Sequence, residues 1–370
     1  MKYCKKCIMP ESYPGIFLND EGICNFCLSY KPYHKHWGKE KLIEVLNSKK
    51  KTGQYDCVIP ISGGKDSAYI LYYAVRELRL NPIAVTYDSG FQIEIAKENM
   101  RNACKVLGVP LKVIESPGNI QTKLLRESLL ISKKVGYLNH YCGNCEAIIR
   151  TVAINAARTH GAPFILWGAT AQETFGYEGY EQYRGLSKSN KVTLISFVTK
   201  IRSKFEALLM NPQKIYNIWK KIYPYVGYHS IKYDIFSIIQ RLRLNVSMKY
   251  ALRPHAVPPF TEDNPRFIHF YDYIFMDSKS IVRILKDELN WQNPVDKDMR
   301  FDCQIHCLAN YHYLASYGIS HDGVNRCNFI RENELTREEV ITKENNIRNS
   351  VEKECKEIIE RIGLKNYKMP

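Results

Sequence analysis

The stretch CVIPISGGKDSAYILYYAV, residues 57–75, decides the fold of this chain. It begins with a short run of β-branched residues, continues through SGGKDS at 62–67, and becomes amphipathic from Asp66 to about Leu80. A second β-branched run, IAVTY at 83–87, follows directly. This succession predicts a strand, a helix and another strand, which is the βαβ unit of a parallel sheet.

The same alternation continues further along the chain. Apolar runs at 111–114 and 164–167 predict two more strands, and the second of them is expected to close the sheet. Helical patterns lie near 94–107, 120–135 and 145–160. We therefore expect an α/β fold of Rossmann-like type, a parallel sheet with helices on both faces, whose ligands bind beyond the carboxyl ends of the strands.

The segment SGGKDS has the properties of a phosphate-binding loop. Backbone N–H groups at the start of a helix point outward, where they and the helix dipole favour an anion. Gly63 and Gly64 let a ligand approach the backbone closely. The loop is not a Walker A sequence, because that pattern requires glycine where this chain has Ile59, and no G-x-G-x-x-G follows the strand.

Two C-x-x-C pairs lie near the N-terminus. Cys4 and Cys7 form the first pair, Cys24 and Cys27 the second, and sixteen residues separate them. Four thiolates at this spacing are typical of a tetrahedral zinc site. Residues 1–35 show neither helical nor strand periodicity, so we expect a zinc-binding module that metal ligation helps to order.

Composition favours a reducing compartment and an anionic partner. The 370 residues can bury a core without disulfides, and the twelve cysteines follow an N-terminus that lacks the apolar segment of a signal peptide. We expect a cytoplasmic protein without a membrane span, since no apolar run approaches the roughly 18 residues required. The net charge of +15 favours a nucleotide, nucleic acid, acidic sugar or anionic membrane surface.

Much of the positive charge lies in residues 198–253, which contain eleven lysines and arginines but two acidic residues. Apolar residues at helical spacing predict a helical insertion there. The predicted domains are the zinc module (1–35), the α/β domain (50–176), the basic helical substrate region (177–330) and C-terminal helices (331–370).

The C-terminal region is expected to contain two helices. Thr336 and Glu339 have capping-box spacing, so one helix should begin at Thr336. A final helix should carry Val351, Cys355 and Ile358 on one face.

The loop and two later segments resemble the PP-loop ATP pyrophosphatase family, which includes GMP synthetase, asparagine synthetase and tRNA-thiolating enzymes. The later segments are VTYDSG at 85–90 and GATAQE at 168–173, although the latter departs from the commoner Gly-His-x-x-Asp-Asp form. Members of this family cleave ATP between its α- and β-phosphates. The resemblance implies that the loop binds the leaving pyrophosphate, that VTYDSG borders the adenosine, and that GATAQE supplies polar groups near the α-phosphate.

The same resemblance assigns roles to individual residues. Lys65 and Asp66 are expected to be catalytic, with Lys65 neutralising transition-state charge and Asp66 helping to hold Mg²⁺. Ser67 is expected to cap the helix or to contact phosphate. The implied ATP-binding residues are Ile61, Ser62, Gly63, Gly64, Lys65, Asp66, Ser67, Tyr87, Asp88, Gly168, Thr170 and Glu173.

Nearly the whole chain resembles the N-acetyl sugar amidotransferases of surface polysaccharide and flagellin glycan biosynthesis. Besides the loop, the matching segments are YCKKCIMP at 3–10, YCGNC at 141–145, FDC at 301–303, LANY at 308–311 and TREE at 336–339. These enzymes convert an acetamido group into an acetamidino group, because adenylation of the amide oxygen creates an imidate that ammonia attacks.

For this chain the resemblance implies ATP, Mg²⁺ and Zn²⁺ as cofactors. The implied substrate is an acidic acetamido sugar, commonly nucleotide-linked, in lipopolysaccharide O-antigen or flagellin glycan biosynthesis. Residues 198–253 would then bind its carboxylate or diphosphate, unless they form a solvated helical face.

A second group of cysteines has several interpretations. Cys142 and Cys145 begin a predicted helix, and Cys303 or Cys307 can supply a third ligand. The set fits a second zinc, an iron–sulfur cluster such as those of some tRNA-thiolating relatives, or a helix-capping pair without metal. A tRNA-thiolating enzyme is therefore the alternative function, although no RNA-binding module is recognisable and we do not expect a nucleic-acid partner. A zinc-dependent scaffold is disfavoured because the loop is intact.

The expected nitrogen source follows from two features of the sequence. Lys2, not cysteine, follows Met1, and no cysteine lies in a G-x-C-x-G nucleophile elbow. A separate glutaminase should therefore supply ammonia, and the resemblance points to one like the glutaminase subunit of imidazole glycerol phosphate synthase, with or without a cyclase-like companion.

Polar candidates for contacting the acetamido group are Asn139, His140, Asn144, Gln172, His306 and Asn310.

Overall fold

The structure is a computed structural model of the chain. The residues that it describes are 2–13, 15–30, 36–116, 118, 121–123, 125, 126, 129, 140–168, 265–293, 302–364 and 367. Predictions that lie outside them concern the basic segment 198–253 and residues Asn139, Thr170, Gln172 and Glu173. For residues 140–144, 146 and 147 the structure describes the backbone alone.

A parallel sheet forms the centre of the described fold. Its strands are β1 (Cys57–Pro60), β2 (Pro82–Asp88), β3 (Leu111–Glu115), β4 (Phe164–Trp167) and β5 (Arg266–His269). They lie in the order β3-β2-β1-β4-β5, and each neighbouring pair is parallel. The predicted parallel sheet is confirmed. Its loop-bearing strand β1 is central, so the segments after β2 and β4 flank the loop after β1.

The predicted end of the sheet at 164–167 is wrong, because β5 pairs with β4 along four residues. β5 has the sequence RFIH, and Ile268 is the one residue in it that is buried. A sequence of four residues is too short to show the alternation of apolar and polar residues that predicts a strand. This edge strand therefore could not be identified from the sequence. It lies within the region 177–330 that the sequence assigned to a separate substrate region.

Helices cover both faces of the sheet, as predicted. The α-helices whose bounds the structure describes are α1 (Asn25–Leu28), α2 (Lys39–Asn47), α3 (Lys65–Arg76), α4 (Glu94–Leu107), α5 (His140–Thr159), α6 (Ser278–Leu289), α7 (His306–Tyr317), α8 (His321–Arg331) and α9 (Arg337–Arg361). One core contains residues of α3, α4 and α6 with Phe164, and a second contains residues of α5 with Ile165. Adjacent residues of β4 thus face opposite cores, because side chains alternate along a strand.

The C-terminal helices α7, α8 and α9 pack against one another. The capping box at the start of α9 is confirmed: Thr336 accepts from the Glu339 N–H, and the Glu339 carboxylate accepts from the Thr336 N–H. The prediction of two separate helices is wrong, since α9 runs through 25 residues. Its middle, KENNIRN at 343–349, has little apolar periodicity but contains no glycine or proline to end the helix.

The N-terminal module packs on the C-terminal helices. Its cysteines and Ile8, Met9 and Phe26 share a buried cluster with Val324 and Ile330 of α8. The module therefore gains a core from a distant part of the chain, in addition to any order that metal ligation provides.

Within the part of the chain that the structure describes, no helix combines the length and the apolar character needed to cross a bilayer.

Candidate functional site

The loop after β1 follows a backbone path that requires glycine. Gly63 has φ of 85°, in the left-handed region, and a Cβ built there would lie 2.1 Å from the Ala96 carbonyl oxygen. Gly64 is the N-cap of α3, with extended φ and ψ of −70° and 162°. Only glycine fits both the conformation and the space at position 63, and this lets the loop lie against α4.

Hydroxyl groups brace the loop from inside. The Ser62 N–H donates to Ser67 Oγ at 3.1 Å, and the Gly64 N–H donates to Ser62 Oγ at 3.3 Å. Ser67 Oγ in turn donates to the Gly64 carbonyl at 3.2 Å. Ser67 thus bonds within the loop, and no described side chain caps α3.

Distant residues fix the loop from outside. Trp291 Nε1 donates to the Gly63 carbonyl at 2.9 Å, and Asn99 Nδ2 donates to the same oxygen at 3.3 Å. The Tyr271 hydroxyl donates to the Asp66 carbonyl at 3.0 Å. These bonds hold the peptide groups in place, while the first N–H groups of α3 have no acceptor within the helix. Such a helix N-terminus can bind a phosphate or another anion.

Lys65 and Asp66 place a cation and an anion at this helix start. Lys65 Nζ lies 2.7 Å from Asp66 Oδ1, and both side chains are about one quarter exposed, at 24% and 27%. They are accessible to a ligand on the loop. The ammonium can neutralise a phosphate oxygen, and the carboxylate is a hard oxygen ligand of the kind that Mg²⁺ prefers.

The flanking segments bring further groups to the carboxyl edge of the sheet. Asp88, at the end of β2, accepts from Lys97 Nζ at 2.8 Å and from the Gly90 N–H at 2.7 Å. Burial opposes ionisation of Asp88, but these two hydrogen bonds outweigh it and hold its pKa below the ordinary value. Beyond β4, Gly168 lies against the Ser67 backbone: a Cβ there would be 3.9 Å from Ser67 Cα.

The structure thus brings most of the predicted ATP-binding residues to one edge. Residues 61–67, Asp88 and Gly168 lie there, whereas the Tyr87 side chain is buried in the core beneath α5. Burial raises the pKa of Tyr87, which keeps its hydroxyl neutral. Thr170 and Glu173 lie outside the described residues.

The four N-terminal cysteines converge in a buried cluster. Cys4 Sγ lies 3.9 Å from Cys27 Sγ, and Cys7 Sγ lies 3.7 Å from Cys24 Sγ. All four sulfurs lie within 4.8 Å of one another. A tetrahedral zinc with bonds of about 2.3 Å has sulfurs about 3.8 Å apart, so this cluster can hold a metal of that size.

Hydrogen-bond donors lie next to the sulfurs of this cluster. The N–H groups of Cys7 and Cys24 donate to Cys4 Sγ at 3.5 and 3.2 Å. Arg331 is buried, and its Nη2 donates to Cys7 Sγ at 3.5 Å. Burial opposes the guanidinium charge, but interactions with Cys7, Cys327 and the neighbouring cysteines outweigh it and raise the pKa of Arg331. A buried guanidinium beside sulfurs fits the negative charge of a four-thiolate metal site.

The second cysteine group is partly described. Cys145, on α5, packs in the same cluster as Tyr87, and Cys303 forms an isolated bridge with Gln92, beyond β2. Both therefore lie near the carboxyl end of β2. Cys307 is buried among apolar residues with Cys355, and its thiol donates to the Gln304 carbonyl at 3.2 Å. The Cys142 side chain is outside the described part, so the three-ligand set stays a prediction.

Sequence reasoning missed several polar residues that are buried or partly buried. Lys97 and Arg331 were not singled out, and Cys327 had no assigned role. His306 and Asn310 were candidates for substrate contact, yet Asp322 was not recognised as their common partner. His306 Nε2 lies 2.7 Å from Asp322 Oδ1. The sequence of α8, HDGVNRCNFIR, is polar and gave no signal of its position, although nearly every residue in it is buried.

Comparison with known proteins gives partial matches. No protein family model matches the chain. It is 28% identical over 170 residues to an uncharacterised protein of Methanocaldococcus jannaschii, covering 45% of this chain and 58% of that protein. It is 29% identical over 119 residues to the glutamine-hydrolysing GMP synthase of Helicobacter pylori strain P12, covering 31% of this chain and 23% of the synthase. The chain thus spans less than two thirds of the length of each relative.

Two solved structures are also similar in part. The NH₃-dependent NAD synthetase of Campylobacter jejuni gives a TM-score of 0.28 at 18% identity, covering 60% of this chain and 97% of that one. The glutamine-dependent NAD⁺ synthetase of Acinetobacter baumannii gives a TM-score of 0.26 at 16% identity, covering 59% and 46%.

Proposed function

We propose that this chain is a PP-loop enzyme that cleaves ATP to AMP and pyrophosphate and thereby adenylates an oxygen of its substrate. The observation that carries the proposal is the loop at 62–67, which follows the central strand β1, needs glycine at position 63, and presents Lys65 and Asp66 at the start of α3. The similarity to a GMP synthase over 119 residues supports the same chemistry.

The loop suits a leaving pyrophosphate. Attack of a substrate oxygen on the α-phosphorus breaks the bond to the β-phosphate oxygen, and negative charge grows on the departing pyrophosphate. N–H groups at the start of α3 and the Lys65 ammonium stabilise that charge. Asp66 would help to hold Mg²⁺, which supplies further charge neutralisation when bound.

The proposed substrate is an acidic acetamido sugar, on the basis of the whole-chain resemblance to the N-acetyl sugar amidotransferases. Its amide oxygen displaces pyrophosphate and becomes an O-adenylated imidate. Ammonia then adds to the imidate carbon, AMP leaves with the original oxygen, and loss of a proton gives the acetamidino sugar. This sequence replaces a poor leaving group by AMP, which explains why ATP is needed.

The test is formation of AMP and pyrophosphate by the intact chain with ATP, Mg²⁺, ammonium and a panel of acidic acetamido sugars. Lys65→Ala and Asp66→Ala should nearly abolish product formation and keep the fold, because each removes a charge that acts at the phosphates. Lys105→Ala, in the last turn of α4, is the matched control and should keep full activity. Release of ADP and phosphate, or near-normal turnover in either loop variant, would overturn the proposal.

The proposed nitrogen source is ammonia from a separate glutaminase, because the sequence offers no cysteine nucleophile in a recognisable context. The chain alone should use ammonium, best at raised pH where more of it is neutral ammonia, and should not use glutamine. Addition of the glutaminase should give glutamine-dependent turnover. Efficient use of glutamine by this chain alone would contradict this part of the proposal.

The second candidate is a tRNA-thiolating enzyme, favoured by the position of Cys145 and Cys303 near the carboxyl end of β2. The same assay distinguishes the two functions when tRNA and a sulfur donor replace the sugar and ammonium. Stimulation of AMP release by the sugar panel favours the amidotransferase, whereas stimulation by tRNA favours the thiolase.

A further inference from the structure

A buried group of metal-ligand side chains lies between α7 and α8, away from the four-cysteine cluster. His306 is the first residue of α7, and His321 and Asp322 are the first two residues of α8. Each is less than 9% exposed. One ligand atom from each of the three side chains lies within 4.8 Å of the other two.

The carboxylate is held in a fixed orientation. His306 Nε2 lies 2.7 Å from Asp322 Oδ1, and Asn310 Nδ2 donates to Asp322 Oδ2 at 3.0 Å. Asn310 Oδ1 accepts from the Asp322 N–H, also at 3.0 Å. The Asn310 amide thus orients the carboxylate so that Oδ1 faces the histidines. Outer hydrogen bonds of this kind orient the ligands in metal sites.

The second histidine completes the group. The His306 and His321 rings are nearly perpendicular at 83°, with centroids 5.5 Å apart, and Tyr313 lies against His321 at 5.0 Å. Packing on a buried tyrosine restricts the His321 ring. Two imidazoles and a carboxylate therefore converge with restricted rotamers, a preorganised set of ligands.

We propose that His306, His321 and Asp322 bind a divalent zinc-class metal ion. Imidazole nitrogen and carboxylate oxygen are ordinary zinc ligands, and three protein ligands are the number that leaves a fourth position for water or substrate. This site is separate from the cysteine cluster. The two groups share no residue, and Cys327, which lies beside Cys7, follows Asp322 on α8 by five residues, or about 7.5 Å along the helix axis.

The segment just before His306 is hydrogen-bonded to the connection that follows β2. The chain just before α7 hydrogen-bonds to the segment after β2: Ile93 N–H donates to the Asp302 carbonyl, and Gln304 N–H donates to the Phe91 carbonyl. His306 follows Gln304 by two residues. A metal held here would therefore lie beside the connection between β2 and α4, whose helix contacts the phosphate loop at Gly63.

Metal stoichiometry tests the proposal on the full chain. After loading with excess zinc and removal of weakly bound ions, the protein should retain two zinc ions per chain if both sites fill. His321→Ala and Asp322→Asn should each retain one. His312→Gln is the matched control, because His312 is another buried histidine of α7 outside this group, and it should retain two.

Cobalt absorption distinguishes the two sites in the unmodified protein, so this test does not depend on the folding of a variant. In the unmodified protein, cobalt in the cysteine cluster gives intense thiolate-to-metal charge-transfer absorption. Cobalt at the histidine–aspartate site adds visible d–d absorption without charge transfer, and His321→Ala should remove only that addition. A single metal equivalent in the unmodified protein, with all cobalt absorption of thiolate type, would overturn the proposal and leave His306 and Asp322 as a buried hydrogen-bonded pair.

Discussion

Replacing Gly63 by alanine should damage both the stability and the activity of the phosphate loop. The added Cβ would lie 2.1 Å from the Ala96 carbonyl oxygen, and real Cβ contacts are essentially never closer than 3.0 Å. The loop or α4 must therefore move by about 1 Å. The conformation adds a further penalty, because φ of 85° is unfavourable for any residue with a Cβ.

The close contact with Ala96 and the unfavourable φ together set the expected loss of stability. A left-handed conformation costs a non-glycine residue about 1–2 kcal/mol, and overpacking costs about 1–3 kcal/mol. The free energy of unfolding should thus fall by about 2–5 kcal/mol. A displacement of about 1 Å in a reacting group can lower a rate about 100-fold, so AMP formation should fall by that order.

Gly108→Ala is the control that isolates the contact with Ala96. Gly108 also has positive φ, at 67°, but nothing lies within 4 Å of an added Cβ. It should therefore lose only the conformational part, about 1–2 kcal/mol, and keep its turnover. Urea unfolding and AMP release of the two variants are the measurements. Equal stability and equal turnover in both variants would refute the argument that close packing on α4 shapes the loop.

Three further predictions concern the C-terminal helices. Arg331→Met should lower the zinc affinity of the cysteine cluster about 10- to 100-fold, measured by chelator competition, because it removes the buried cation beside Cys7; unchanged affinity would contradict this role. Thr336→Ala should lower the free energy of unfolding by about 1 kcal/mol through loss of the capping box, and an unchanged urea midpoint would argue against it. Burial lowers the pKa of His312 to about 4, below the unfolded value of about 6.5. As pH decreases, His312 therefore takes up a proton in the unfolded state before it does so in the folded state. The free energy of unfolding should fall by up to about 3 kcal/mol between pH 6.5 and pH 4. His312→Gln should flatten this pH dependence, and identical pH profiles of the two proteins would refute the prediction.

The centre of the fold could be predicted because its sequence patterns are local. The observed bounds of α4 and β4 agree with the predicted 94–107 and 164–167. Both follow from periodicity and from flanking residues, such as Gly108 at the end of α4. β5 lacks such a signal: it is short, lies at the sheet edge, and pairs with a strand about a hundred residues earlier.

The residues of the candidate site also differ in whether the sequence alone indicates them. SGGKDS and the four N-terminal cysteines are contiguous or regularly spaced, so the sequence indicates them directly. The partners Arg331 with Cys7, and His306 with Asp322, are joined only by tertiary packing. A polar helix is ordinarily solvated, whereas here α7, α9 and the N-terminal module surround α8. Some of its polar side chains find partners there, as Asp322 does with His306 and Asn310 of α7.

The most direct test of the proposed adenylation follows an oxygen atom. An acetamido sugar that supports AMP release would be labelled with oxygen-18 in its acetamido carbonyl, and the products would be analysed by mass spectrometry. If the amide oxygen attacks the α-phosphorus and leaves with AMP, the label should appear in AMP and not in pyrophosphate. AMP free of label, formed together with the acetamidino sugar, would contradict the adenylated intermediate.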